Sequence, residues 1–334
     1  MSDNPAVSII VPLYNKAPYV EQCLYSLMDQ TLQDIEVIVV DDGSTDRGNE
    51  IAYAICEEDE RFTYAYQENA GVSSALNQGL ARARGSFVAR LDGDDWLDSD
   101  ALTLLHHAAT ALGVVHVRCG YVRERAGKTT QQIPCCASLE QHEGMWCLQK
   151  LFGEIFVPFM STCLGIYHRE TLRRANILFP PELTNLEDIY FNARFFALNT
   201  SIALVPECPY HYRESKDSLS QKPSMNLPAQ LGMFELLVQR GVLKSNPHLR
   251  MDYAHYRAIA LLTTAADLSV YKTKGMRALK QSGMYRALCA DCGTPRPLSL
   301  RKLMMFLNRN HYWSASVYAR ILHAARALRR TIKR

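Results

Sequence analysis

The sequence lacks long apolar segments, and this absence limits where the protein can work. No apolar run in its 334 residues is long enough to span a bilayer. The N-terminus also lacks a basic region followed by an apolar core, and strand-like sequence begins at Val7, so we expect no cleaved targeting segment. These absences predict a cytoplasmic protein.

The ten cysteines follow no regular spacing pattern, although their number is high. Cys289 and Cys292 have CxxC spacing, but no second pair lies at the distance that a zinc ribbon requires. In a reducing compartment most cysteines serve as small buried apolar residues. We therefore favour a packing role for them over a metal or redox role.

The chain carries no strong excess of either charge. With 37 Lys and Arg against 34 Asp and Glu, the net charge is +3, which is too small to indicate nucleic-acid binding. A hydrophobic fraction of 48% with 21% charged residues is typical of a soluble globular protein. The length is sufficient for one large domain and a smaller one.

Two common nucleotide-binding motifs are missing as well. No GxGxxG follows the first predicted strand, which argues against a dinucleotide cofactor, and no GxxxxGK[ST] is present, which argues against a P-loop. A nucleoside diphosphate bound by this chain would therefore be held by a metal ion rather than by a glycine-rich loop.

The first hundred residues alternate between short apolar runs and helical patterns. Residues 7–11 and 35–40 are nearly continuous apolar runs, as in strands buried on both faces, and 62–66 and 86–89 supply two more strands. Helices are predicted around 20–27, 47–58 and 71–83, the first from the spacing of its apolar residues. This alternation predicts an α/β protein with right-handed crossovers and an open, doubly wound sheet. We expect Pro12 to end the first strand.

Polar clusters follow three of these strands, at the edge where ligands bind in such a sheet. They are Pro12, Tyr14 and Asn15 after the first strand, Asp41 and Asp42 after the second, and Asp92, Asp94 and Asp95 after the fourth. Closely spaced carboxylates of the last kind suit Mg²⁺ or Mn²⁺, which keep positions open for substrate phosphates. The alternative is a solvated turn in which Asp98 and Ser99 cap the next helix.

Four motifs resemble those of family 2 glycosyltransferases with the GT-A fold: residues 7–15, 39–46, 69–73 and 91–95. The resemblance continues through 165–169, 178–180, 186–191 and 210–213 with 218–220, and covers about residues 5–221. It implies a GT-A (Rossmann-like) domain, in which a mixed, mainly parallel sheet is flanked by helices.

The resemblance also implies roles for individual residues. Pro12, Tyr14 and Asp42 would hold the nucleotide base, usually uracil. Asp92 would lie near the ribose, Asp94 would ligate the divalent metal, and Asp95 would orient the ligands of that metal. Asn15, Arg90 and Arg213 are further candidates for the donor site, and His211 is a further candidate for the metal site.

On the acceptor side, the resemblance makes Asp188 the general base of an inverting reaction and gives Glu187 a placing role. Read from the residues alone, Glu187 and Asp188 open a helix whose positive end favours carboxylates. The two roles are compatible. For His211, a contact with metal or phosphate stands beside the alternative of a histidine packed among aromatic rings.

The chain departs from the family pattern at two places. Leu76 stands where many relatives have an arginine that contacts phosphate, so Arg90, Arg84 or Arg213 would have to supply the cation. The Gln-x-x-Arg-Trp signature of processive synthases is absent. Transfer of a single sugar is therefore expected rather than chain synthesis.

From about residue 223 the pattern changes to helices only, which predicts a catalytic domain over 1–222 and a helical C-terminal region over 223–334. A linker is predicted at 225–228. Residues 301–334 hold nine Lys and Arg and no Asp or Glu, with an apolar face and aromatic residues at its start. This tail favours peripheral contact with the anionic inner face of the cytoplasmic membrane over docking on the catalytic domain.

Taken together, the sequence predicts a metal-dependent (Mn²⁺ or Mg²⁺), inverting glycosyltransferase. It would move one sugar from a nucleotide-diphosphate sugar, UDP-linked by preference, to a glycan or lipid-linked acceptor of a bacterial surface polysaccharide such as lipopolysaccharide or capsule. Two alternatives remain. A nucleotidyltransferase would need a glycine-rich, lysine-bearing loop after the first strand, and residues 12–16 contain no glycine. A non-catalytic binding relative is disfavoured by the intact Asp92, Asp94 and Asp188.

Overall fold

The computed structural model describes residues 4–153, 157–183 and 185–214, together with 236, 237 and 242. Residues 4–151 and 157–214 belong to one compact unit. Apart from those three later residues, everything predicted for 223–334 lies outside the described residues, including the linker, the basic tail, Cys289 and Cys292. The domain boundary at 222 therefore stays a prediction.

Twenty elements make up the described part of the chain. The first nine are β1 (Val7–Leu13), α1 (Val20–Met28), β2 (Ile35–Asp41), α2 (Gly48–Glu58), β3 (Phe62–Tyr66), α3 (Val72–Arg82), β4 (Phe87–Arg90), β5 (Trp96–Leu97) and α4 (Ala101–Leu112). The others are β6 (His116–Arg118), β7 (Tyr121–Arg125), β8 (Lys128–Ile133), β9 (Glu140–Glu143), α5 (Gly144–Gly153), α6 (Val157–Met160), β10 (Gly165–His168), α7 (Arg169–Arg174), α8 (Glu187–Phe196), β11 (Ser201–Leu204) and β12 (Tyr210–Arg213).

Eight strands form one sheet in the order β3-β2-β1-β4-β10-β6-β11-β9. The pairs β1–β2, β2–β3, β1–β4 and β6–β11 are parallel, whereas β10 runs antiparallel to both β4 and β6, and β9 runs antiparallel to β11. The sheet is therefore mixed and mainly parallel, which confirms the predicted fold class.

Helices cover both faces of this sheet, which explains why β1 and β2 are apolar throughout. Val7, Ile9, Val11 and Leu13 belong to the core cluster that also holds the buried residues of α1, α2 and α4. Ile10 faces α3 on the other side, where a methyl group added to Gly79 would lie 2.3 Å from the Ile10 side chain. A strand covered on both faces has no position for a solvated side chain.

The predicted end of the first strand at Pro12 is wrong. β1 continues to Leu13, and Pro12 pairs in register with Val40 of β2. The amide nitrogens of Leu91 and Asp42 bond to the carbonyl oxygens of Ile10 and Leu13. The backbone N–H and C=O groups of even-numbered residues in β1 therefore point toward β4, and those of odd-numbered residues point toward β2. Because β4 ends at Arg90, the missing N–H of Pro12 faces a position that has no partner strand.

A second sheet, in the order β5-β12-β7-β8, contains the short strand that follows the acidic turn. β12 is antiparallel to β5, with His211 opposite Trp96. β7 and β8 form the polar hairpin expected around 123–132, and its turn has positive φ at Ala126 and Gly127. Among the described helices, none is both long enough and apolar enough to cross a membrane.

Candidate active site

The ends of β1, β2 and β4 lie side by side, so the three polar clusters predicted from the sequence are neighbours. The Asn15 side chain accepts a hydrogen bond from the Thr45 amide at 2.8 Å, and the Asn15 amide donates to the Ser44 hydroxyl at 3.1 Å. A methyl group added to Gly93 would lie 3.4 Å from the Pro12 carbonyl oxygen. The carboxyl edge of the sheet therefore forms one continuous polar surface.

Asp42 is buried, and backbone amides hold its carboxylate. Its Oδ1 accepts hydrogen bonds from the Ala70 amide at 2.8 Å and from Gln67 Nε2 at 2.7 Å, and its Oδ2 accepts one from the Gly71 amide at 2.9 Å. Asp42 thus ties the end of β2 to the start of α3. Tyr14 is 46% exposed beside this edge, so one face of its ring remains available for stacking.

The neighbouring Asp41 shapes the turn after β2. Its carboxylate accepts hydrogen bonds from the Ser44 amide at 2.9 Å and from the Tyr64 hydroxyl at 2.6 Å. Gly43 has a φ of +74°, and a side chain there would come within 2.9 Å of the Asn69 nitrogen. Only glycine fits this position without strain.

Two carboxylates of the acidic turn have different environments. Asp94 pairs with the ammonium group of Lys16, which is half-buried. Burial works to lower the pKa of Lys16, but the charge and hydrogen bond of Asp94, together with the charges of Asp92 and Asp95, outweigh it and raise that pKa. Asp95 is buried and accepts hydrogen bonds from the Tyr210 hydroxyl at 2.5 Å and from the Arg213 amide at 2.8 Å. Burial, followed by the charges of Asp92 and Asp94, raises the pKa of Asp95 well above its usual range.

Arg90 joins the acidic turn to the start of α8. Its Nε donates to Asp92 Oδ1 at 2.8 Å, and a terminal nitrogen donates to Asp188 Oδ1 at 2.5 Å. The same terminal nitrogen lies 3.8 Å from Glu187 Oε1. Asp92 and Asp188 are 96 positions apart in the chain, and the fold brings both carboxylates into contact with the Arg90 guanidinium.

Thr162 completes the environment of Asp188. The Thr162 hydroxyl lies 2.9 Å from Asp188 Oδ1 and the Thr162 amide 3.3 Å from Oδ2, so both oxygens have a partner. Arg90 also donates to the Thr162 hydroxyl, at 3.1 Å. These contacts fix the direction of the Asp188 carboxylate.

Glu187 is the first residue of α8, as predicted, and its pKa is raised to about 7. Burial is the main cause, and the charge of Asp188 adds to it, while Arg90 acts in the opposite direction. A carboxyl group with this pKa carries its proton in part of the molecules near neutral pH.

His211 and Arg213 lie on β12 and have contacts that the sequence did not predict. The ring nitrogens of His211 are 2.9 Å from Asp98 Oδ1 and 3.3 Å from Glu124 Oε1, and its ring stacks on Trp96. The structure thus favours the packed alternative for His211 over a place among the metal ligands. The Asp98 side chain does not cap α4, which begins at Ala101 without a side-chain cap, although the Asp98 carbonyl oxygen accepts a hydrogen bond from the Ala101 amide at 3.1 Å.

Arg213 supports the acidic turn. Its Nε donates to the Asp94 carbonyl oxygen at 2.8 Å, and its guanidinium lies over the rings of Trp96 and Tyr19. Arg84, which the sequence offered as a cation for the diphosphate, pairs instead with Glu36 at the opposite edge of the sheet. That suggestion is therefore wrong for Arg84. Leu76 is completely buried in α3.

The charges of this edge suit a divalent cation. Among the described residues, five carboxyl groups (Asp92, Asp94, Asp95, Glu187 and Asp188) adjoin three cationic side chains (Lys16, Arg90 and Arg213), so carboxyl groups outnumber cations. The described residues contain no group of three or more His, Cys, Asp or Glu side chains placed to bind a metal by themselves. Mg²⁺ and Mn²⁺ commonly need only one or two carboxylates, with water and substrate phosphates completing the shell. Asp92 and Asp94 fit that kind of site.

Two residues of this site, Lys16 and Tyr210, were not predicted as such from the sequence, and for Thr162 the family resemblance implied only that the segment 160–163 lines the sugar pocket. Lys16 directly follows Asn15 in the loop after β1, and its position was a usable signal for a cation near the phosphates. The contacts of Thr162 and Tyr210 carry no local signal, because each acts on a carboxylate, Asp188 or Asp95, that is distant in sequence.

The fold is similar to that of a solved glycosyltransferase. S. aureus TarS (residues 1–349), in complex with UDP, matches 96% of this chain with 91% of its own, at a TM-score of 0.66 and 17% sequence identity. The same protein has been solved with UDP-GlcNAc. The chain therefore has the GT-A type of fold.

Sequence comparisons identify the family. The model for glycosyl transferase family 2 matches residues 8–174. The glycosyltransferase EpsH of Bacillus subtilis (strain 168) is 32% identical over 301 residues, which are 86% of this chain and 84% of EpsH. EpsJ of the same organism is 36% identical over 228 residues, 66% of each chain. The chain belongs to glycosyl transferase family 2 and is a transferase.

One further relative matches over a shorter span. The chondroitin synthase of Pasteurella multocida (strain Pm70) is 38% identical over 100 residues. Those residues are 30% of this chain and 10% of the synthase. The chain thus spans about two thirds of EpsJ and a small part of this larger enzyme.

Proposed function

We propose that this enzyme transfers a single sugar, with inversion, from a UDP-linked sugar to a glycan or lipid-linked acceptor in the synthesis of a bacterial surface polysaccharide. The observation that carries the proposal is the meeting of Asp92 and Asp188 on Arg90. This contact supports the proposal because it joins the carboxylate that we assign to the donor side with the one that we assign to the acceptor side, as transfer between two bound sugars would require.

The donor would lie across the carboxyl ends of β1, β2 and β4. The exposed ring of Tyr14 offers a stacking face for the base, and Asp42 lies at the end of the neighbouring strand β2, where it fixes the turn before α3. Binding of UDP and of UDP-GlcNAc by TarS supports a uracil nucleotide, because that chain shares this fold. Pro12 lies at the end of β1, and Asn15 joins the loop after it to the turn after β2.

The diphosphate would lie beside the acidic turn. Asp94 and Asp92 would hold the divalent ion, Mn²⁺ or Mg²⁺, which supplies positive charge against the negative charge that grows on the departing diphosphate. Lys16 and Arg90 are the cationic side chains already in contact with these two carboxylates. They provide the positive charge that Leu76 cannot.

The acceptor hydroxyl would be deprotonated by Asp188. Its proton passes to the carboxylate as the hydroxyl oxygen forms a bond to the anomeric carbon, and the bond from that carbon to the diphosphate oxygen breaks in the same displacement. The contacts of Thr162 and Arg90 hold the carboxylate in one direction, and a positioned base needs such a fixed direction. Glu187, with its raised pKa, would bind acceptor hydroxyl groups beside it.

The acceptor class is supported by the relatives. A match to a chondroitin synthase supports a role in polysaccharide synthesis. The basic tail at 301–334 supports an acceptor that is reached at the inner membrane face, since cationic amphipathic segments bind anionic lipid.

The test is a panel of UDP- and GDP-sugars assayed for release of the nucleoside diphosphate, with a set of p-nitrophenyl monosaccharides as acceptors. We expect release from a UDP-sugar that depends on Mn²⁺ or Mg²⁺ and stops with EDTA. Equal release in EDTA would contradict the metal dependence, and release only from GDP-sugars would contradict the uracil preference.

A further inference from the structure

Arg118 is a completely buried cation at the end of β6, and all of its hydrogen-bond donors are used. Its Nε and one terminal nitrogen donate to the Pro158 carbonyl oxygen, and that terminal nitrogen also donates to the Ser161 carbonyl oxygen at 2.6 Å. The other terminal nitrogen lies 3.2 Å from both His116 Nε2 and the Tyr167 hydroxyl. These five bonds account for the five N–H groups of a guanidinium.

Burial of the Arg118 charge without a counter-charge is energetically unfavourable. Within the described residues no carboxylate forms an ion pair with Arg118, and its other neighbours are the rings of Phe159 and Phe196, at 5.7 and 5.6 Å from the guanidinium carbon. Burial and the charge of Arg118 lower the pKa of His116 well below its usual range, so that neighbour is neutral as well. A buried charge that pairs only with neutral groups adds little stability, and its effect here is to fix the carbonyl groups that it binds.

Asn192 on α8 holds the same segment from the other side. Its Nδ2 lies 3.1, 3.0 and 3.2 Å from the carbonyl oxygens of Phe159, Met160 and Ser161. Its Oδ1 accepts a hydrogen bond from the Tyr167 hydroxyl at 2.6 Å, and Tyr167 thereby links Asn192 to Arg118. The four consecutive carbonyl groups from 158 to 161 are thus all bound by two side chains.

The segment held in this way leads directly to Thr162. Three of its residues, 158–160, belong to the single turn α6, which is too short to satisfy its own carbonyl groups, so outside donors are needed. Thr162 follows it and contacts both oxygens of Asp188. Asn192 lies one helical turn after Asp188 on α8, so one helix carries both the carboxylate and a holder of the segment that contacts it.

We propose that Arg118 and Asn192 are positioning residues for sugar transfer, which fix the carbonyl groups of residues 158–161 and thereby hold Thr162 against Asp188. The inference rests on the proposed role of Asp188 as the base. Neither residue forms a hydrogen bond with the acidic turn or with Asp42, so the main effect is expected on the acceptor side.

The test compares Asn192→Ala and Arg118→Lys with wild type in two separate measurements. The first is the affinity for UDP with Mn²⁺, measured by calorimetry, which we expect to change less than about twofold. The second is UDP release from the active donor with p-nitrophenyl monosaccharides as acceptors. We expect kcat for release to fall by roughly 10²-fold in Asn192→Ala, since a misplacement of about 1 Å costs that much. Arg118→Lys keeps the charge but not the planar fork, and should show an intermediate loss.

Tyr167→Phe is the milder variant, because it removes only the hydroxyl that links the two residues and preserves packing. It should lower kcat several-fold at unchanged UDP affinity, and it serves where the larger changes prevent folding. Tyr53→Phe is the matched control, since it removes the hydroxyl of an exposed tyrosine on α2 outside this network and should retain wild-type release.

The outcomes separate the two proposals. If Asp188→Asn abolishes release but Asn192→Ala and Tyr167→Phe leave kcat unchanged, positioning is overturned while the base assignment stands. If UDP affinity and release fall together in the variants, the network is only structural, and positioning is again overturned. If Asp188→Asn itself releases UDP at the wild-type rate, the proposed base fails first.

Discussion

Both the amino edge and the carboxyl edge of the eight-stranded sheet bury carboxyl groups. Hydrogen-bond donors outnumber carboxyl groups at the amino edge, whereas carboxyl groups outnumber cations at the carboxyl edge. At the amino edge, Glu36 accepts hydrogen bonds from the Ser8 hydroxyl at 2.6 Å, the Arg84 amide at 2.6 Å and the Arg84 side chain at 2.9 Å. Burial works to raise the pKa of Glu36, but these bonds, led by that of Ser8, outweigh it and lower that pKa.

At the carboxyl edge the balance is reversed. The pKa of Asp95 is raised by burial and by two neighbouring carboxylates, and that of Glu187 is raised to about 7 by burial and by Asp188. Donors outnumber carboxylates around Glu36, which therefore only links β1, β2 and the start of β4. Carboxyl groups outnumber cations at the other edge, and that excess can bind a metal ion or a proton.

The largest effect is expected for Asp188→Asn. The substitution keeps the volume and the hydrogen bond from Thr162 but cannot accept the acceptor proton, so release of UDP should fall by about 10²- to 10⁴-fold. Calorimetry should show UDP affinity within about twofold of wild type. Asp100→Asn is the control, because Asp100 lies at the N-terminus of α4 without a side-chain cap. Normal transfer by Asp188→Asn would remove the base assignment.

A second large effect is expected for Asp94→Ala. Loss of this carboxylate should weaken the Mn²⁺-dependent part of UDP binding by on the order of 100-fold, as loss of metal-site residues does. EDTA added to wild type should produce the same weakening. The neighbouring Asp98→Ala removes a carboxylate that contacts His211 and should keep its Mn²⁺ dependence. An Asp94→Ala protein whose UDP affinity still rises with Mn²⁺ would refute the assignment.

At the amino edge, Glu36→Gln should affect stability and spare activity. The change leaves buried donors of Arg84 and Gly85 without a charged acceptor, which costs about 1.5–3 kcal/mol in urea unfolding. Arg84→Ala should cost less, about 1 kcal/mol or below, because that side chain is half exposed. A loss of kcat in Glu36→Gln comparable with that in Asp188→Asn would erase the distinction between the edges.

The smallest expected effect is a change in the pH dependence of stability in Glu187→Gln. The pKa of Glu187 rises from 4.5 to about 7 on folding, so between these values the folded state holds a proton that the unfolded state has lost. Stability from this group is therefore present at pH 4.5 and lost as pH rises toward 7. Wild-type Tm should fall across this window relative to the variant. Parallel curves would show that the pKa of Glu187 is not raised.

The fold was predictable because its signals are local. Continuous apolar runs in β1 and β2, helical spacing in α1 and the repeated alternation are properties of neighbouring residues, and they indicate a mainly parallel sheet without reference to distant contacts. The polar clusters at the strand ends were predictable for the same reason, since the edge where parallel strands end is common to all of them.

The tertiary structure decided which side chains meet. Asp92 and Asp188 share Arg90, Lys16 pairs with Asp94, and Thr162 contacts Asp188, and each pair joins segments that are far apart in the chain. The same holds for the corrections: Arg84 lies at the opposite edge, and His211 faces Asp98 and Glu124. Sequence patterns report which residues a segment contains and how they repeat, whereas charge pairing depends on distances that only the packed chain sets.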